Sequence, residues 1–409
     1  MTGATARPNE TTLKQAPFDE RFVLSLALFI LSQVLVYLCI YIFHMKIPFN
    51  AYNYQYNGMH YLRDPRIDGG PFNFLRALGP FDGQWYLKIA DAGYAAPLGD
   101  YGRYPDARLT GTLSYAFFPL YPLILSAVNN LFHPIELSAF VLTNVLLVCN
   151  FTSLYYVVSR LFGRDVALRS IFLLFLFPFS IFFRSYFTEG LFLLLLIWFG
   201  YFLITKRWMC ACALLALLCV TRPNGIMMGA IFLYYLLKSV RKADIRLSTA
   251  ALIAPYAALP FLAWCGFCLL QRQDPLYWAH VQSWWFHSAA IYYPLQHNIS
   301  TILSFFQLPL HSFHKSKIDV SAIFLTLLLL LLSWTFLPRQ LWLISFLLWI
   351  TPLFTKDPQS YTRFQTVSFP LFVYLGAHIK GREYLLLCGL FLSLLLAVAL
   401  YFVNWDWIG

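Results

Sequence analysis

The first candidate for a catalytic residue is a carboxylate, Asp82, in the segment FDGQWYLKIADAGY at residues 81–94. A carboxylate at an apolar surface, partly removed from water, can act as a general base. Trp85 and Tyr86 follow in the same segment and would form an aromatic pocket around it. A structural role is the alternative, because Asp is a preferred N-cap and a helix is predicted to follow directly. Asp91 is predicted to face solvent or to cap a helix.

Two further motifs place charged side chains where apolar segments end. Arg184 and Glu189 lie in RSYFTE, at the junction of two such segments. Ionisable groups at that depth indicate function, unless the two residues simply neutralise each other as an ion pair. In TRPNG, Pro223 breaks an apolar run, so a helix that starts there leaves unpaired amide groups beside Arg222 and Asn224. A helix N-terminus next to an Arg is suited to binding phosphate.

The segment DPLYWAHVQSWW, residues 274–285, predicts an amphipathic helix at the membrane surface. Asp274 would cap this helix, and its paired tryptophans suit the depth of the lipid headgroups. His280 is a candidate contact for a phosphate or a sugar hydroxyl, and Gln282 lies on the same helix. A purely structural role for His280 stays open.

Arg363 lies in YTRF, at the start of another apolar segment. Its planar guanidinium group can hold a phosphate through two parallel hydrogen bonds. An Arg at a helix end also reaches lipid headgroups without any specific role, and that alternative stays open. Residues 115–122, YAFFPLYP, are broken by proline, which suits the wall of a lipid or sugar site or the packing of a kinked helix.

These motifs lie in a chain made almost entirely of apolar segments. Of its 409 residues, 60% are hydrophobic and 11% are charged, a composition that excludes a soluble globular protein. One apolar run, 113–132, contains two prolines and suits a broken or re-entrant segment. The sequence predicts an all-α polytopic membrane protein with a bundle of about 11 transmembrane helices. The candidate spans are 22–43, 136–159, 166–183, 188–205, 208–221, 224–238, 248–270, 319–337, 341–355, 361–378 and 384–403.

Basic residues decide the predicted orientation of these spans. If the N-terminus is cytoplasmic and 113–132 does not cross, the Lys and Arg clusters between spans fall on the cytoplasmic side, as the positive-inside rule requires. The prediction is a cytoplasmic tail at 1–21 and a single integral membrane domain at 22–409, with non-cytoplasmic loops at 44–112 and 271–318. The polar motifs then share the outer face. The C-terminal NWDWIG lies there too, with two tryptophans that suit an interfacial belt.

Several classes of protein are excluded by what the sequence lacks. The net charge of +11 is spread over the ends of apolar segments, whereas a nucleic-acid-binding protein needs a clustered basic face. All eight Cys lie inside apolar runs, which gives neither a disulfide framework nor a metal cluster. There is no Walker A loop and no Rossmann fingerprint. A sugar-nucleotide transferase usually carries a soluble cytoplasmic domain, so a transferred group is expected to arrive through the membrane itself.

Six motifs in the same order resemble one known family. They are FDGQWYLKIADAGY, AFFPLYPLIL, FFRSYFTEGLFLLL, TRPNG, DPLYWAHVQSWW and YTRFQTVSFPLFVYLG. Together they resemble the PIG-V-like mannosyltransferases, in particular the bacterial-type members, which belong to the GT-C superfamily of polyprenyl-phosphate-sugar-dependent glycosyltransferases. The resemblance runs from about Gly79 to the C-terminus. It implies a GT-C-like bundle with a long non-cytoplasmic first loop that carries juxtamembrane helices.

The resemblance also implies an activity. A sugar, typically mannose, is transferred with inversion from a polyprenyl-phosphate donor to a hydroxyl of a lipid-linked or cell-envelope acceptor on the non-cytoplasmic face. Asp82 matches the family's catalytic Asp, although Phe81 stands where family members usually have Trp. Arg222 and Arg363 match positions that face the donor phosphate, and Glu189 matches the family's acidic position. No cofactor is implied, and a divalent metal is neither required nor excluded.

The resemblance leaves location and two other functions open. The bacterial inner membrane is the preferred location, and the endoplasmic reticulum membrane is the alternative, because eukaryotic relatives work there. A lipid or sugar transporter, or flippase, is the competing function, because broken helices and intramembrane Arg also fit transporters. An inactive partner in a membrane glycosylation complex is the third. The expected partners are the lipid donor, the acceptor and membrane lipids, with no nucleic acid.

Overall fold

The fold is described from a computed structural model of the chain, which describes residues 20–98, 100–101, 107–286, 315–354 and 360–407. Nearly all of the predicted tail 1–21 and much of the predicted outer loop 271–318 lie outside these residues. The described residues are mostly helical, with one very short antiparallel pair of strands, β1 (Met59–His60) and β2 (Asp100–Tyr101). The all-α prediction is therefore confirmed for the described part of the chain.

The α-helices follow one another with short connections. They are α1 (Glu20–Phe43), α2 (Ala51–Asn57), α3 (Phe74–Ala77), α4 (Asp82–Ala92), α5 (Ala107–Leu113), α6 (Leu120–Asn129), α7 (Ile135–Phe162), α8 (Arg164–Leu176), α9 (Glu189–Ile204), α10 (Trp208–Cys219), α11 (Pro223–Arg241), α12 (Leu247–Ile253), α13 (Leu259–Arg272), α14 (Tyr277–Phe286), α15 (Lys315–Ser333), α16 (Arg339–Ile350), α17 (Tyr361–Gln365), α18 (Phe369–His378) and α19 (Gly381–Val403). Short 3-10 turns continue several of them, at Pro178–Phe183, Ala254–Ala257 and Thr351–Phe354.

Each of the predicted spans coincides with helix, but many of these helices are short. Within the described residues, four helical stretches are long and apolar enough to cross a membrane: Glu20–Lys46, Ile135–Phe162, Leu247–Arg272 and Gly381–Val403. A bent pair raises this number to five if it counts as one span. Shorter apolar helices such as α9, α10 and α18 lie below the length of a full crossing. The chain is thus a membrane protein, and the number of about 11 spans stays a prediction.

The run 113–132 is a broken segment, as predicted. Its two halves, Arg108–Ala116 and Leu120–Asn129, meet at an angle of 117°. Pro119 stands at the break, where it cannot donate a backbone hydrogen bond. Its neighbour Leu120 donates its amide to the carbonyl of Val220 at 3.0 Å. Whether this segment crosses the membrane stays a prediction.

The second break, between α10 and α11, is held by a close backbone approach. Pro223 starts α11 directly after Arg222, which has an extended backbone conformation. A Cβ atom on Gly225 would come within 1.9 Å of the carbonyl oxygen of Leu218, which is far inside any tolerated contact. Only glycine therefore fits there, because the end of α10 passes directly over the first turn of α11.

Replacing Gly225 with Ala is expected to destabilise the protein, because backbone atoms of α10 would have to move away from α11. We expect a loss of about 1–3 kcal/mol in the free energy of unfolding, typical of overpacked sites. Gly229→Ala is the matched control on the same helix, since a Cβ there meets nothing within 4 Å. Unfolding of both variants in mixed detergent micelles measures the difference. Equal stability of the two variants would contradict the close approach.

The C-terminal segment is anchored to the first long loop. Trp405 is only 1% exposed and donates its indole N–H to Oδ2 of Asp64 at 3.2 Å. Arg66 binds the same carboxylate at 2.7 Å and also donates to Oδ1 of Asn404 at 2.6 Å. The interpretation of Trp405 as part of an interfacial belt is therefore wrong. Its indole bonds to Asp64 of the first loop and packs against the rings of Tyr54 and Phe81, with ring centroids 4.8 and 5.3 Å away.

Because Asp64 is paired with Arg66, we expect the stability of the folded protein to depend on pH. Burial raises the pKa of this carboxyl, but the hydrogen bonds and charge of Arg66 outweigh burial, and the pKa lies below its ordinary value. A depressed folded pKa means that the pair stabilises the protein above about pH 4 and that this contribution is lost as the pH falls further. We expect Asp64→Asn to lower the unfolding midpoint at pH 7 and the gap from wild type to close below about pH 4.

The control for this prediction lies in the same loop. Asp68 pairs with Arg63 at 2.5 Å, but both side chains are more than half exposed. We expect Asp68→Asn to change the midpoint little at any pH, because exposed ion pairs contribute about 0–1 kcal/mol. If the difference in unfolding midpoint between wild type and Asp64→Asn stays constant down to pH 3, the stabilising role of the Asp64–Arg66 pair is contradicted.

Candidate functional site

Asp82 is the first residue of α4 and does not act as its N-cap. The N-cap residue is Phe81, which has φ 53° and makes no side-chain capping bond. A non-glycine residue at this backbone angle is uncommon and is found where the surroundings enforce it. The side chain of Phe81 packs against Trp405 and Trp407, with ring centroids 5.3 and 4.9 Å away, and this packing holds its backbone in the unusual conformation. The alternative role of Asp82 as a helix cap is thereby excluded.

The carboxylate of Asp82 instead pairs with Arg363. Oδ2 of Asp82 lies 2.7 Å from Nη1 of Arg363, and the Asp82 side chain keeps 32% exposure. Arg363 lies in the short helix α17, which starts after Ser360 at φ 71°. The amide and hydroxyl of Thr362 both donate to Oδ1 of Asp319, at 2.9 and 3.1 Å, which ties α17 to α15.

Aromatic rings enclose the guanidinium group of Arg363. Its central carbon lies 4.6 Å from the ring centre of Phe187, 5.1 Å from Phe182 and 5.6 Å from Trp407. Such contacts stabilise a cation whose water has been removed. The side chain is 6% exposed, so the prediction that Arg363 merely reaches lipid headgroups from a helix end does not describe its position.

Glu189 is fully buried at the start of α9 and binds two cations. Its Oε1 lies 2.5 Å from Nε of Arg363 and 2.7 Å from Nη1 of Arg222. Its second oxygen, Oε2, is buried and has no hydrogen-bond partner among the residues that the structure describes. Arg222, at the break before α11, is 10% exposed and also lies over the ring of Phe364 at 5.2 Å.

The four residues Asp82, Arg363, Glu189 and Arg222 form a continuous charge network. They come from α4, α17, α9 and the break between α10 and α11, which are far apart in sequence. Two carboxylates balance two guanidinium groups, so the network carries no net charge when all four are ionised. Its exposure rises from Glu189, which is fully buried, to Asp82. Asp82 is therefore the member of the network that an entering molecule meets most easily.

The loop before α4 docks on the segment before α9 and so brings Asp82 to Glu189. A Cβ on Gly79 would come within 2.5 Å of the Tyr186 ring, which leaves room only for glycine. The hydroxyl of Tyr186 donates to the carbonyl of Leu75 at 2.7 Å. Gln84 donates to the carbonyl of Gly79 at 2.8 Å and accepts from the amide of Leu62 at 2.7 Å. Gln84 and Tyr186 lie inside the motifs FDGQWYLKIADAGY and RSYFTE, but the sequence did not predict that they hold these two segments together.

Trp85 and Tyr86 are both buried on α4, and their role as an aromatic pocket for a substrate stays a prediction. Trp85 stacks on Phe117 with ring centroids 5.3 Å apart, and Tyr86 packs edge-on against Tyr121 at 5.2 Å. Burial raises the pKa of Tyr86, and the negative charge of Asp82 raises it further. The broken segment that carries Phe117 and Tyr121 thus forms one wall of the site.

Lys88 and Asp91, on the same helix α4, have other roles. Lys88 is fully buried and donates to the carbonyls of Gly93 and Tyr94 and to the hydroxyl of Ser114, at 2.9–3.0 Å. It thereby fixes the end of α4 to the broken segment, and burial lowers its pKa to about 8. The Asp91 carboxylate faces outward and accepts from Tyr61 and Asn129. Neither residue contacts the charge network.

Arg184 is buried but turned away from Glu189. Its Nη2 donates to the carbonyl of Phe175 at 2.9 Å, and Nη1 donates to the carbonyl and hydroxyl of Ser180, both at 3.0 Å. Arg184 thus satisfies carbonyl groups at the C-terminal end of α8, a position that favours cations. The alternative of an Arg184–Glu189 ion pair is wrong, because Glu189 pairs with Arg222 and Arg363.

The helix predicted over 274–285 is present as α14, where His280 contacts Asp274 and Gln282 contacts the broken segment. His280 binds Oδ2 of Asp274 through Nδ1 at 2.5 Å, and Asp274 also accepts from the amide of Leu276 at 2.9 Å. Gln282 donates to the carbonyl of Ala116 at 2.9 Å, which ties α14 to the broken segment. Asn224 lies half-buried in the first turn of α11.

Part of the chain is similar to a family of known proteins. Residues 117–265 match the family model of dolichyl-phosphate-mannose-protein mannosyltransferases. This stretch is less than half of the chain and includes Glu189 and Arg222 of the charge network, while Asp82 and Arg363 lie outside it. The match is consistent with the GT-C superfamily and points to a membrane glycosyltransferase of that type.

Neither the curated proteins nor the solved structures contain a match to this chain. Among the residues that the structure describes, no group of three His, Cys, Asp or Glu side chains could hold a metal ion.

Proposed function

We propose that this protein is a membrane glycosyltransferase that moves a sugar, mannose in particular, from a polyprenyl-phosphate donor to an acceptor hydroxyl with inversion. The charge network is the observation that supports this proposal most strongly. It joins an accessible carboxylate, Asp82, to two buried cations. Two of its four members, Glu189 and Arg222, lie in the stretch that matches the dolichyl-phosphate-mannose-protein mannosyltransferase family. A hydroxyl and a lipid phosphate are the two groups that such a pair of charges recognises.

The proposed reaction assigns one role to each charge. Asp82 accepts the proton of the acceptor hydroxyl while that oxygen bonds to the anomeric carbon. The bond from this carbon to the donor phosphate oxygen breaks, and its electron pair leaves with the polyprenyl phosphate. Arg363 and Arg222 stabilise the charge that builds on the leaving phosphate. Glu189 holds both guanidinium groups in position.

The direct contact between Asp82 and Arg363 links proton transfer to Asp82 with departure of the lipid phosphate beside Arg363. Before transfer, the charge of Arg363 is shared between Asp82 and Glu189, at 2.7 and 2.5 Å. When Asp82 takes the proton, it becomes neutral and no longer balances Arg363. Positive charge is thus released beside the leaving group at the moment when negative charge develops there, and in a site with little water such a charge acts strongly.

The direct test is transfer by the purified protein in proteoliposomes. Polyprenyl-phosphate mannose is supplied with a mixture of membrane lipid acceptors, and mannosylated products are identified by mass spectrometry. Polyprenyl-phosphate glucose serves as a second donor. Product with mannose alone supports the full proposal, and product with glucose alone supports a transferase of a different sugar.

The same vesicles separate a transferase from a transporter. Movement of the intact lipid donor between the two leaflets, with no new glycosidic product, would contradict the proposal and favour a flippase. Release of free mannose without an acceptor would indicate that water reaches the site in place of an acceptor hydroxyl.

A further inference from the structure

A second charged region lies where α7 ends and α8 begins. A cavity of about 370 Å³ opens there, between the two helices and Gly163 that joins them. Its polar lining consists of Ser159, Arg160, Arg164, Asp165 and Arg169, with Tyr155 and Tyr156 among the apolar residues. Three guanidinium groups face one carboxylate, so the lining has an excess of two positive charges.

Two of the three arginines of this cavity, Arg169 and Arg160, are held in place by their surroundings. Nε of Arg169 donates to the carbonyl of Gly376 at 2.6 Å, which fixes it between α8 and α18. The two helices touch closely, because a Cβ on Gly376 would lie 2.5 Å from the hydroxyl of Ser170. The guanidinium group of Arg160 lies over the ring of Tyr156 at 5.1 Å. Side chains held in this way lose little freedom when they bind a ligand.

A buried hydroxyl in the same cavity is left without a partner. Oγ of Ser159 is buried and makes no hydrogen bond within the described residues. Leaving such a group unsatisfied costs free energy that a ligand oxygen would recover. Arg164 and Asp165 are the first residues of α8, so the positive end of the helix dipole lies in the cavity wall as well.

This cavity is separate from the charge network around Glu189. Gly190 packs against Leu146 of α7, and its carbonyl accepts from Asn150 at 2.8 Å, so Glu189 lies level with that part of α7. From Leu146 to Ser159 the helix rises about 20 Å. Arginines at a span end also follow from the positive-inside rule, but that rule requires neither a cavity nor a buried hydroxyl beside them.

We propose that this cavity binds a phosphate group, as the headgroup of an anionic phospholipid or as a soluble phosphate anion. The planar guanidinium groups of Arg160, Arg164 and Arg169 match the oxygens of a phosphate. The hydroxyl of Ser159 donates to one of these oxygens. Basic pockets between membrane helices are suited to anionic lipid headgroups. This site is distinct from the one that holds the sugar donor in the proposed function.

The test measures binding to the full chain in detergent micelles. Dioleoylphosphatidylglycerol is titrated and counted by native mass spectrometry, with dioleoylphosphatidylcholine as the neutral lipid. Inorganic phosphate, followed by its effect on the unfolding midpoint at constant ionic strength, is the soluble probe. We expect Arg160→Gln to weaken binding of the anionic probe about tenfold and Ser159→Ala about threefold. Arg160→Lys should retain part of the affinity.

The matched control is Arg241→Gln, which removes an exposed cation at the end of α11, outside the cavity. Unchanged binding in this variant, with the loss in Arg160→Gln, supports the site. A response to phosphatidylglycerol alone identifies a lipid headgroup, and a response to phosphate identifies a soluble anion. Equal losses in Arg160→Gln and Arg241→Gln, or no preference for an anionic probe, would overturn the proposal. Ser159→Ala keeps the test informative if the Arg160 variants do not fold.

Discussion

Asp82→Asn is expected to lower the rate of sugar transfer by about 10³-fold, within the range that loss of a general base produces. Asparagine has the same shape and can still accept a hydrogen bond from Nη1 of Arg363, which is now 2.7 Å from the carboxylate. It cannot take up the proton of the acceptor. Since Asp82 is partly exposed and Arg363 keeps its contact with Glu189, the fold should change little.

The measurement that distinguishes a base from a merely binding residue is the separation of kcat from KM. We expect kcat to fall while KM for the lipid donor stays the same or decreases, because Arg363 loses a competing carboxylate. Asp91→Asn on the same helix is the control. The Asp91 carboxylate accepts from Tyr61 and Asn129 and does not touch the network, so transfer should continue at the wild-type rate. Near-normal turnover by Asp82→Asn would end the base assignment.

The second large effect is expected for Glu189→Gln, on both stability and activity. This substitution removes the negative charge between Arg363 and Arg222 and leaves two buried cations with one accessible carboxylate. Breaking a buried ion pair from one side costs about 3–5 kcal/mol, because the remaining charge cannot regain its water. We expect that loss in the free energy of unfolding, measured in mixed micelles, together with loss of transfer.

A second ion pair of the described residues provides the control for Glu189. Glu136 contacts Arg76 at 3.3 Å, but Arg76 is one-third exposed and keeps contact with water. Glu136→Gln should therefore cost about 1 kcal/mol or less. Adding Arg222→Gln to Glu189→Gln should recover part of the lost stability, because one uncompensated cation is gone, but should not restore transfer. Recovery of transfer in the double variant would show that the charges serve the fold alone.

Part of the fold and of the site was predictable because it depends on neighbouring residues. Apolar runs predicted helix at every candidate span, since helical hydrogen bonds are made within a segment. Proline predicted the breaks before Leu120 and at Pro223, because it removes a donor wherever it stands. Asp82, Glu189, Arg222 and Arg363 were each selected as ionisable groups beside apolar segments. Their partners were not predictable in this way, as Arg184 shows.

The pairing and burial of the other side chains depend on contacts between segments that are distant in sequence. An Arg five residues before a Glu suggested a pair, yet Arg184 satisfies the carbonyls of α8, and Glu189 takes Arg363 from the far end of the chain. Likewise Trp405, whose type suits a membrane surface, is buried because Asp64 and Phe81 meet it from the first loop. The candidate spans at α9 and α10 form helices of 16 and 12 residues, and whether each of them crosses the membrane stays a prediction.

The sequence by itself determined that this is a helical membrane protein, where its helices break and which ionisable residues lie beside those breaks. These properties follow from hydrophobicity and backbone chemistry, which act locally. Only the tertiary structure decided that Asp82, Arg363, Glu189 and Arg222 form one network and that Phe81 is held in a strained conformation at its edge. A charge in an apolar interior must find its partner wherever packing brings one, and sequence distance does not limit that choice.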